Sequence, residues 1–215
     1  MPRAAFISFD GLDGTGKSTQ CRLLAEWLTA QKIPVATCTD PGGTPLGQKL
    51  REIVLFGREH AIATSTEAFL FMASRAQLVD EVIRPALERG EVVLSDRFTL
   101  ANVVYQGHAG GMNPDDLWTL GALATGGLEP DLTLVFDVPL DLAAARRNPE
   151  ADRMEDRDRE FHEAVKRGFL FEAGRRPEKH RIVDGSPDVD AVQRAVRREA
   201  VRLLTSHGWS LSPEV

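Results

Sequence analysis

Apolar residues occur as short continuous runs, and longer stretches of helical spacing separate them. The run at 5–9 predicts a buried strand. Residues 19–28 follow as a helix with Leu23, Leu24 and Leu28 on one face. Further strands are expected at 33–38, 91–96, 132–137 and 181–184. Between and after them, helices are expected at 45–56, at 64–88, from the Asn113-Pro114 start, through Phe161, Val165 and Phe169, and at 190–204. In the 64–88 helix, capped by Ser65 or Thr66, the core stripe reads as Phe69, Met72, Ala76, Val79 and Ile83. Phe71 and Arg75 lie four apart and share another face. Trp118 is expected in the core, and the tail from Ser206 is expected to be loose.

Strand–helix alternation implies an α/β fold: a five-stranded parallel sheet flanked by helices. No repeat, linker or low-complexity segment breaks the chain. The 215 residues therefore read as a single domain over 1–215.

The stretch that changes this picture is Gly11-Leu12-Asp13-Gly14-Thr15-Gly16-Lys17-Ser18, followed by Thr19. It fits the phosphate-loop pattern and sits between a strand and a helix N-terminus, where that pattern requires it. Curled backbone amides and the helix dipole favour an anion there. Lys17 would reach the β- and γ-phosphates of a nucleoside triphosphate, and the Ser18 hydroxyl would take one Mg²⁺ position. The third strand ends in Asp96, a second carboxylate suited to Mg²⁺ or its waters. Arg97 follows directly and can hold transferring or accepting phosphate oxygens. Asp137, at the end of the fourth strand, is a weaker metal candidate. The stretch from Asn102 to Gly111 reads as a loop whose amides and phenol suit a base. The turn from Thr39 to Thr44 lies at a strand's carboxyl end, where such folds bind ligands. The charged run from Arg146 to Arg159 reads as a solvated face or a mobile lid of about 147–158.

Composition narrows the field. Hydrophobic residues make up 42% and charged residues 27%, which is ordinary for a globular protein. A net charge of −6 gives no support for a nucleic-acid polymer as partner. Arginine dominates the basic residues, which suits bidentate phosphate contacts. Cys21 and Cys38 have no metal-ligand spacing and read as reduced thiols. The absence of a signal segment and of a bilayer-length apolar run leads to the expectation of a cytoplasmic protein with no membrane partner. No Asn-Lys pair occurs, so the guanine-reading motif of GTPase switches is missing. A small chain with a base-sized platform and an arginine-rich lid points to a nucleotide or nucleoside kinase. The rival readings are a kinase of the same fold acting on another acceptor, and a slowly hydrolysing regulatory protein.

The chain resembles bacterial thymidylate kinases from Phe6 to about Leu204. The resemblance rests on the stretch from Phe9 to Gln20, on Pro41-Gly42-Gly43-Thr44, and on Phe71 to Gln77. Asp96-Arg97-Phe98, Tyr105-Gln106-Gly107, Pro130 to Thr133 and Asp152-Arg153-Met154-Glu155 complete it. It implies a P-loop kinase fold with a short lid, ATP and Mg²⁺ as cofactors, dTMP as the small-molecule substrate on the route to dTTP, and a homodimer packed through helices. By the same resemblance, Phe71 would stack on thymine, and Arg75 and Gln106 would bond its polar edge. Asn102 and Tyr105 would line the base and sugar pocket, and Asp13 would sit near the sugar or the Mg²⁺ shell. Arg97 would bind the dTMP phosphate, with Pro41 and Arg51 as further acceptor contacts. The resemblance places a catalytic basic residue either directly after the loop aspartate or in the lid; Gly14 follows Asp13, so the loop supplies none, and the catalytic arginine is expected in the lid: Arg153 first, Arg147 second, with Arg146 stacking on adenine. Two departures stand out. Thr39-Asp40 replaces the family's frequent Arg-Glu, which puts one phosphate or metal contact in doubt, and Phe98 stands where Tyr or His is common.

Overall fold

Each apolar run becomes a strand in the computed structural model, which describes residues 2–57, 61–147 and 152–211. The strands are β1 (Ala5–Gly11), β2 (Val35–Thr39), β3 (Val92–Asp96), β4 (Leu132–Asp137) and β5 (His180–Asp184). They form one parallel sheet in the order β2-β3-β1-β4-β5. The sheet is covered by α1 (Lys17–Ala30), α2 (Pro45–Arg51), α3 (Thr64–Leu78), α4 (Arg84–Glu88), α5 (Thr99–Asn102), α6 (Pro114–Thr125), α7 (Leu140–Ala145), α8 (Arg159–Arg175) and α9 (Val189–Ser206). No helix among the described residues is long and apolar enough to cross a membrane.

Alternation along β1 divides the core. Ala5, Ile7 and Phe9 join Leu24, Leu28, Val196 and Leu204 on the side of α1 and α9. Phe6 turns to Leu78, Ile83 and Phe98 on the other side. Ser8, on the Phe6 face, is satisfied by Thr133 at 2.8 Å. Asp10 follows on that face and is discussed below.

Four local expectations are corrected. The 64–88 segment is helical, but its stripe is turned: Phe69 is 60% exposed, and Ala68, Phe71, Met72, Arg75 and Leu78 face inward. Its N-cap is Ala63, with no side-chain cap. The segment widens to a π turn at Val79–Ile83. Pro85 lacks the N–H that would continue the regular ladder, so the widening accommodates it. The expected loop after Asn102 is instead a π-helical stretch, Val103–Ala109, that continues α5. Val103, Val104 and Tyr105 are buried there, and buried backbone has to close its own hydrogen bonds. The tail is held as far as it is described: Trp209 Nε1 donates to Arg3 O at 2.9 Å, and Arg3 N donates to His207 O at 2.9 Å.

Candidate active site

The parallel register sets Phe9 of β1 beside Asp96 of β3, so the phosphate loop and the Asp96-Arg97 pair leave the sheet side by side. Two loop glycines are required by space. A Cβ on Gly11 would lie 2.6 Å from Phe136 O, and one on Gly14 would lie 2.1 Å from Ala143 O. α1 starts at Lys17 with Gly16 as a left-handed N-cap, no capping side chain and no acidic residue in the first turn. Its first amides are thus left to an external anion. Lys17 is buried, and Nζ donates to Leu12 O at 2.6 Å, with Asp13 Oδ1 at 3.6 Å. Burial, then the positive charge of Arg97, lower the Lys17 pKa; Asp13 works against them. Thr15 Oγ1 closes the loop on Leu12 O at 2.7 Å. These features fit a nucleoside triphosphate. The Ser18 hydroxyl donates to Asp96 Oδ2, so a hydroxyl and a carboxylate meet at the loop's edge. That hard oxygen pair fits Mg²⁺, which draws its remaining ligands from water and phosphate.

Arg97 adopts φ 70°, in the left-handed region. The strain, on the order of 1–3 kcal/mol, is held by Arg97 N donating to Phe9 O at 2.9 Å and Ser95 Oγ donating to Arg97 O at 2.7 Å. This turn aims the guanidinium back at the phosphate loop. Arg97 Nη2 donates to Asp13 Oδ1 and, at 3.3 Å, to Tyr105 OH. The Tyr105 hydroxyl donates to Asp13 Oδ2 at 2.9 Å. Burial pushes the Asp13 pKa up, but Arg97, Lys17 and the Tyr105 hydroxyl overcome it and hold the carboxyl far below its usual range. Burial raises the Tyr105 pKa, so its hydroxyl stays a donor.

Asp10, the acid just before the phosphate loop, is not among the residues the sequence reading singles out, although a lone acid in an apolar strand is a readable signal. It is fully buried, neither oxygen has a hydrogen-bond partner, and it stands in the field of Arg97, Lys17 and Arg75. Burial raises its pKa to about 7 against the pull of those cations. The folded state therefore keeps a proton that the unfolded chain releases near pH 4, and stability falls as pH rises from there to about 7. Asp10→Asn should remove this loss. Its stability relative to wild type should rise by about 3 kcal/mol between pH 4.5 and pH 8. Denaturant unfolding at the two pH values checks this; parallel pH curves would contradict it.

The acceptor side opens on the same cleft, about 370 Å³, whose lining includes Pro41, Arg51, Phe71, Asn102, Tyr105 and Gln106. Arg75 is 1% exposed and lines it too; Nε donates to Asp40 Oδ2 and Nη2 donates to Phe98 O at 3.3 Å. Burial raises the Asp40 pKa against Arg75. Asp40 and Phe98, from the two sequence departures, both meet Arg75 here. Asp40 is spent on Arg75, and the Phe98 ring lies 5.4 Å under the same guanidinium. Arg51 Nη1 is held by Pro41 O at 2.9 Å. Asn102 Nδ2 donates to Gln106 Oε1 at 2.9 Å, and Gln106 Nε2 donates to Glu67 Oε2 at 3.4 Å. Burial raises the Glu67 pKa; Gln106, Arg153 and Arg157 oppose it. Glu67 was also missed, though its spacing of four from Phe71 and eight from Arg75 marks the same helix face.

The lid expectation is only partly met in geometry, and residues 148–151 lie outside the described residues. Arg146 and Arg147 line the cleft. Arg146 is anchored by Gly185 O at 2.7 Å and Ser186 O at 3.2 Å, and Arg147 Nη1 lies 3.1 Å from His162 Nε2. Burial, then Arg147, lower the His162 pKa. Arg153, the first choice from sequence, is not among the lining residues; its Nη2 sits 3.5 Å from Glu67 Oε1. The run is also not uniformly solvated. Met154 is buried against the cluster that contains Phe71, Tyr105 and Phe161. Asp137 is paired with Lys166 at 2.6 Å, away from the phosphate loop's lining.

A phosphate loop after β1, the sheet order and a second lined face in the same cleft define a P-loop kinase fold. The family model described as thymidylate kinase matches residues 9–196. The chain is 44% identical over 202 residues to a thymidylate kinase of Symbiobacterium thermophilum, covering 94% of each chain. It is 44% identical over 193 residues to a thymidylate kinase of Pseudomonas entomophila, covering 89% of this chain and 92% of that one. A crystal structure of thymidylate kinase from Ehrlichia chaffeensis superposes with a TM-score of 0.75 at 27% identity, covering 93% of this chain and 99% of that one. The chain belongs to the thymidylate kinase family, and it is an enzyme.

Proposed function

We propose that this enzyme transfers the γ-phosphoryl group of ATP to dTMP, giving dTDP and ADP on the route to dTTP. The observation that carries this reading is the shared cleft: the phosphate loop at one end, the face built from Phe71, Arg75, Asn102 and Gln106 at the other, and Arg97 between them. Family membership supports it.

Gly11 to Thr19 hold the ATP phosphates, and Lys17 exchanges Leu12 O for β- and γ-phosphate oxygens. Ser18 and Asp96 would hold Mg²⁺, which would neutralise charge on those phosphates. Phe71 stacks on thymine, while Arg75 and Gln106 bond its polar edge. Tyr105 and Asp13 sit against the sugar, where a buried tyrosine leaves no room for a 2′-hydroxyl. Arg97 turns from Asp13 to the acceptor phosphate. An oxygen of that phosphate attacks the γ-phosphorus, the bond to the β–γ bridging oxygen breaks, and its electron pair leaves with ADP. The acceptor oxygen is already unprotonated, so the protein's work is positioning and charge stabilisation. The reading includes a single domain over 1–215, a lid over 147–158, a cytoplasmic location and a homodimer packed through α3, where Phe69 is exposed.

The lid arginine is reassigned within this reading. Arg147 lines the cleft and acts on the transferring group, with Arg146 at the adenine end; Arg153 serves the acceptor side through Glu67. Arg147→Ala should lower kcat by roughly 10- to 100-fold with little change in the KM for dTMP. Arg153→Ala should chiefly raise that KM. Steady-state kinetics separate the two, and a kcat loss confined to Arg153→Ala would restore the assignment made from sequence.

Phosphorus NMR of the enzyme with MgATP and dTMP tests the reaction itself. The expected new signals are the coupled α- and β-phosphates of dTDP. Release of inorganic phosphate without them would mean hydrolysis and defeat the proposal.

A further inference from the structure

Glu67 takes no part in the reaction above, yet it is buried at the junction of three elements. It lies on α3, its Oε2 accepts from Gln106 on the π-helical stretch, and its Oε1 faces Arg153 in the lid segment at 3.5 Å. Gln106 passes the contact on, since its Oε1 accepts from Asn102 Nδ2. At the end of this chain Asn102 Oδ1 is buried with no partner. Asn102 and Gln106 both line the cleft.

A carboxylate ionised beside a guanidinium only accepts hydrogen bonds. Glu67 therefore takes the N–H end of the Gln106 amide and refuses its carbonyl. Gln106 must then offer Oε1 to Asn102, Asn102 must offer Nδ2 back, and the group left over is the Asn102 Oδ1 acceptor. Reversing either amide would set two acceptors or two donors against each other in a buried site, where an unmet polar group is costly. Thymine and uracil carry a proton on N3, at the centre of their Watson–Crick edge. Cytosine carries a lone pair there. Asn102 lines the cleft and its Oδ1 is the acceptor left over, which matches the first pair and opposes the second.

We propose that Glu67 is a positioning residue that fixes the polarity of the Gln106–Asn102 amide pair and so makes the site select a pyrimidine monophosphate with a protonated N3 over deoxycytidylate. The inference rests on the reading of this cleft as the dTMP site. Glu67 acts through the amides and does not touch the base itself. Arg153 supports it by holding the charge on the carboxylate.

The test is the ratio of kcat/KM for dTMP to that for dCMP, in wild type, in Glu67→Gln, and in Glu67→Asp. A glutamine at 67 can donate to the Gln106 carbonyl, which lets both amides reverse. The ratio should fall at least tenfold, through a loss with dTMP and a gain with dCMP. In Glu67→Asp position 67 still only accepts, so the amide pair keeps its orientation and the preference for dTMP should stay within about threefold of wild type. Parallel loss with both substrates in Glu67→Gln, at an unchanged ratio, would reduce Glu67 to a structural brace and overturn the proposal. If Glu67→Gln does not fold, Glu67→Met, which removes the acceptor at similar volume, decides instead: a fallen ratio supports the proposal and an unchanged ratio overturns it. A wild-type enzyme without dTMP turnover would overturn the acceptor assignment first, and this inference with it.

Discussion

Arg97→Ala should lower dTMP-dependent turnover by two to three orders of magnitude, a few kcal/mol of transition-state charge stabilisation. The geometry behind this is specific. A residue is held at φ 70° so that its guanidinium returns to the phosphate loop, and before substrate arrives it is balanced on Asp13 and Tyr105. ATP affinity should barely change, because Lys17, the loop amides and Ser18 remain. Kinetics together with calorimetric titration of a non-hydrolysable ATP analogue distinguish the two effects. If ATP binding collapsed while turnover persisted, Arg97 would belong to the donor site.

Phe71→Ala should weaken dTMP by about 1–3 kcal/mol, the worth of one base stacked on an aromatic ring, and leave the KM for ATP unchanged. Phe71 lines the cleft and also packs in the cluster with Leu55, Tyr105 and Met154. Some loss of thermal stability is therefore expected alongside the affinity effect. The two are separable by measuring both nucleotides at a temperature well below the transition. Equal weakening of ATP and dTMP would show that Phe71 only fills the core.

The parts of this site that could be read from the chain are those governed by local chemistry. The phosphate loop needs glycines where Phe136 O and Ala143 O approach, and that requirement is written into the run from Gly11 to Gly16. Asp96-Arg97 was readable because an apolar strand ended on a charged pair. What was misread depended on partners distant in sequence. Val103–Ala109 looks like a connector because Gly107, Gly110 and Gly111 surround it, yet α8 buries it and makes it helical. Gly168 of α8 lies so close that a Cβ there would meet His108 Cβ at 2.8 Å. Phe69 and Phe71 both fit an apolar stripe, and only packing against Leu55 and Tyr105 shows which one turns inward. In the charged run, Arg147 and Arg153 are equivalent as letters. Arg153 stands 3.5 Å from the buried acid Glu67 on α3 and does not line the cleft, and no spacing within the run could announce that. Asp10 and Glu67 show the converse: a buried acid in an apolar strand or beside an aromatic on a helix face is a signal in its own right.

The central claim is that one cleft joins ATP to a thymidine monophosphate. It is tested most directly by initial rates of ADP release with MgATP against dTMP, dUMP, dCMP, UMP and AMP. The account predicts the highest kcat/KM with dTMP, and little turnover with UMP, because in the proposed pose Tyr105 leaves no room for a 2′-hydroxyl. Preferred turnover of a different monophosphate would leave the roles of Lys17 and Arg97 standing and contradict those given to Phe71, Arg75 and Gln106. Absence of acceptor-dependent turnover with ATP still bound would contradict the account as a whole.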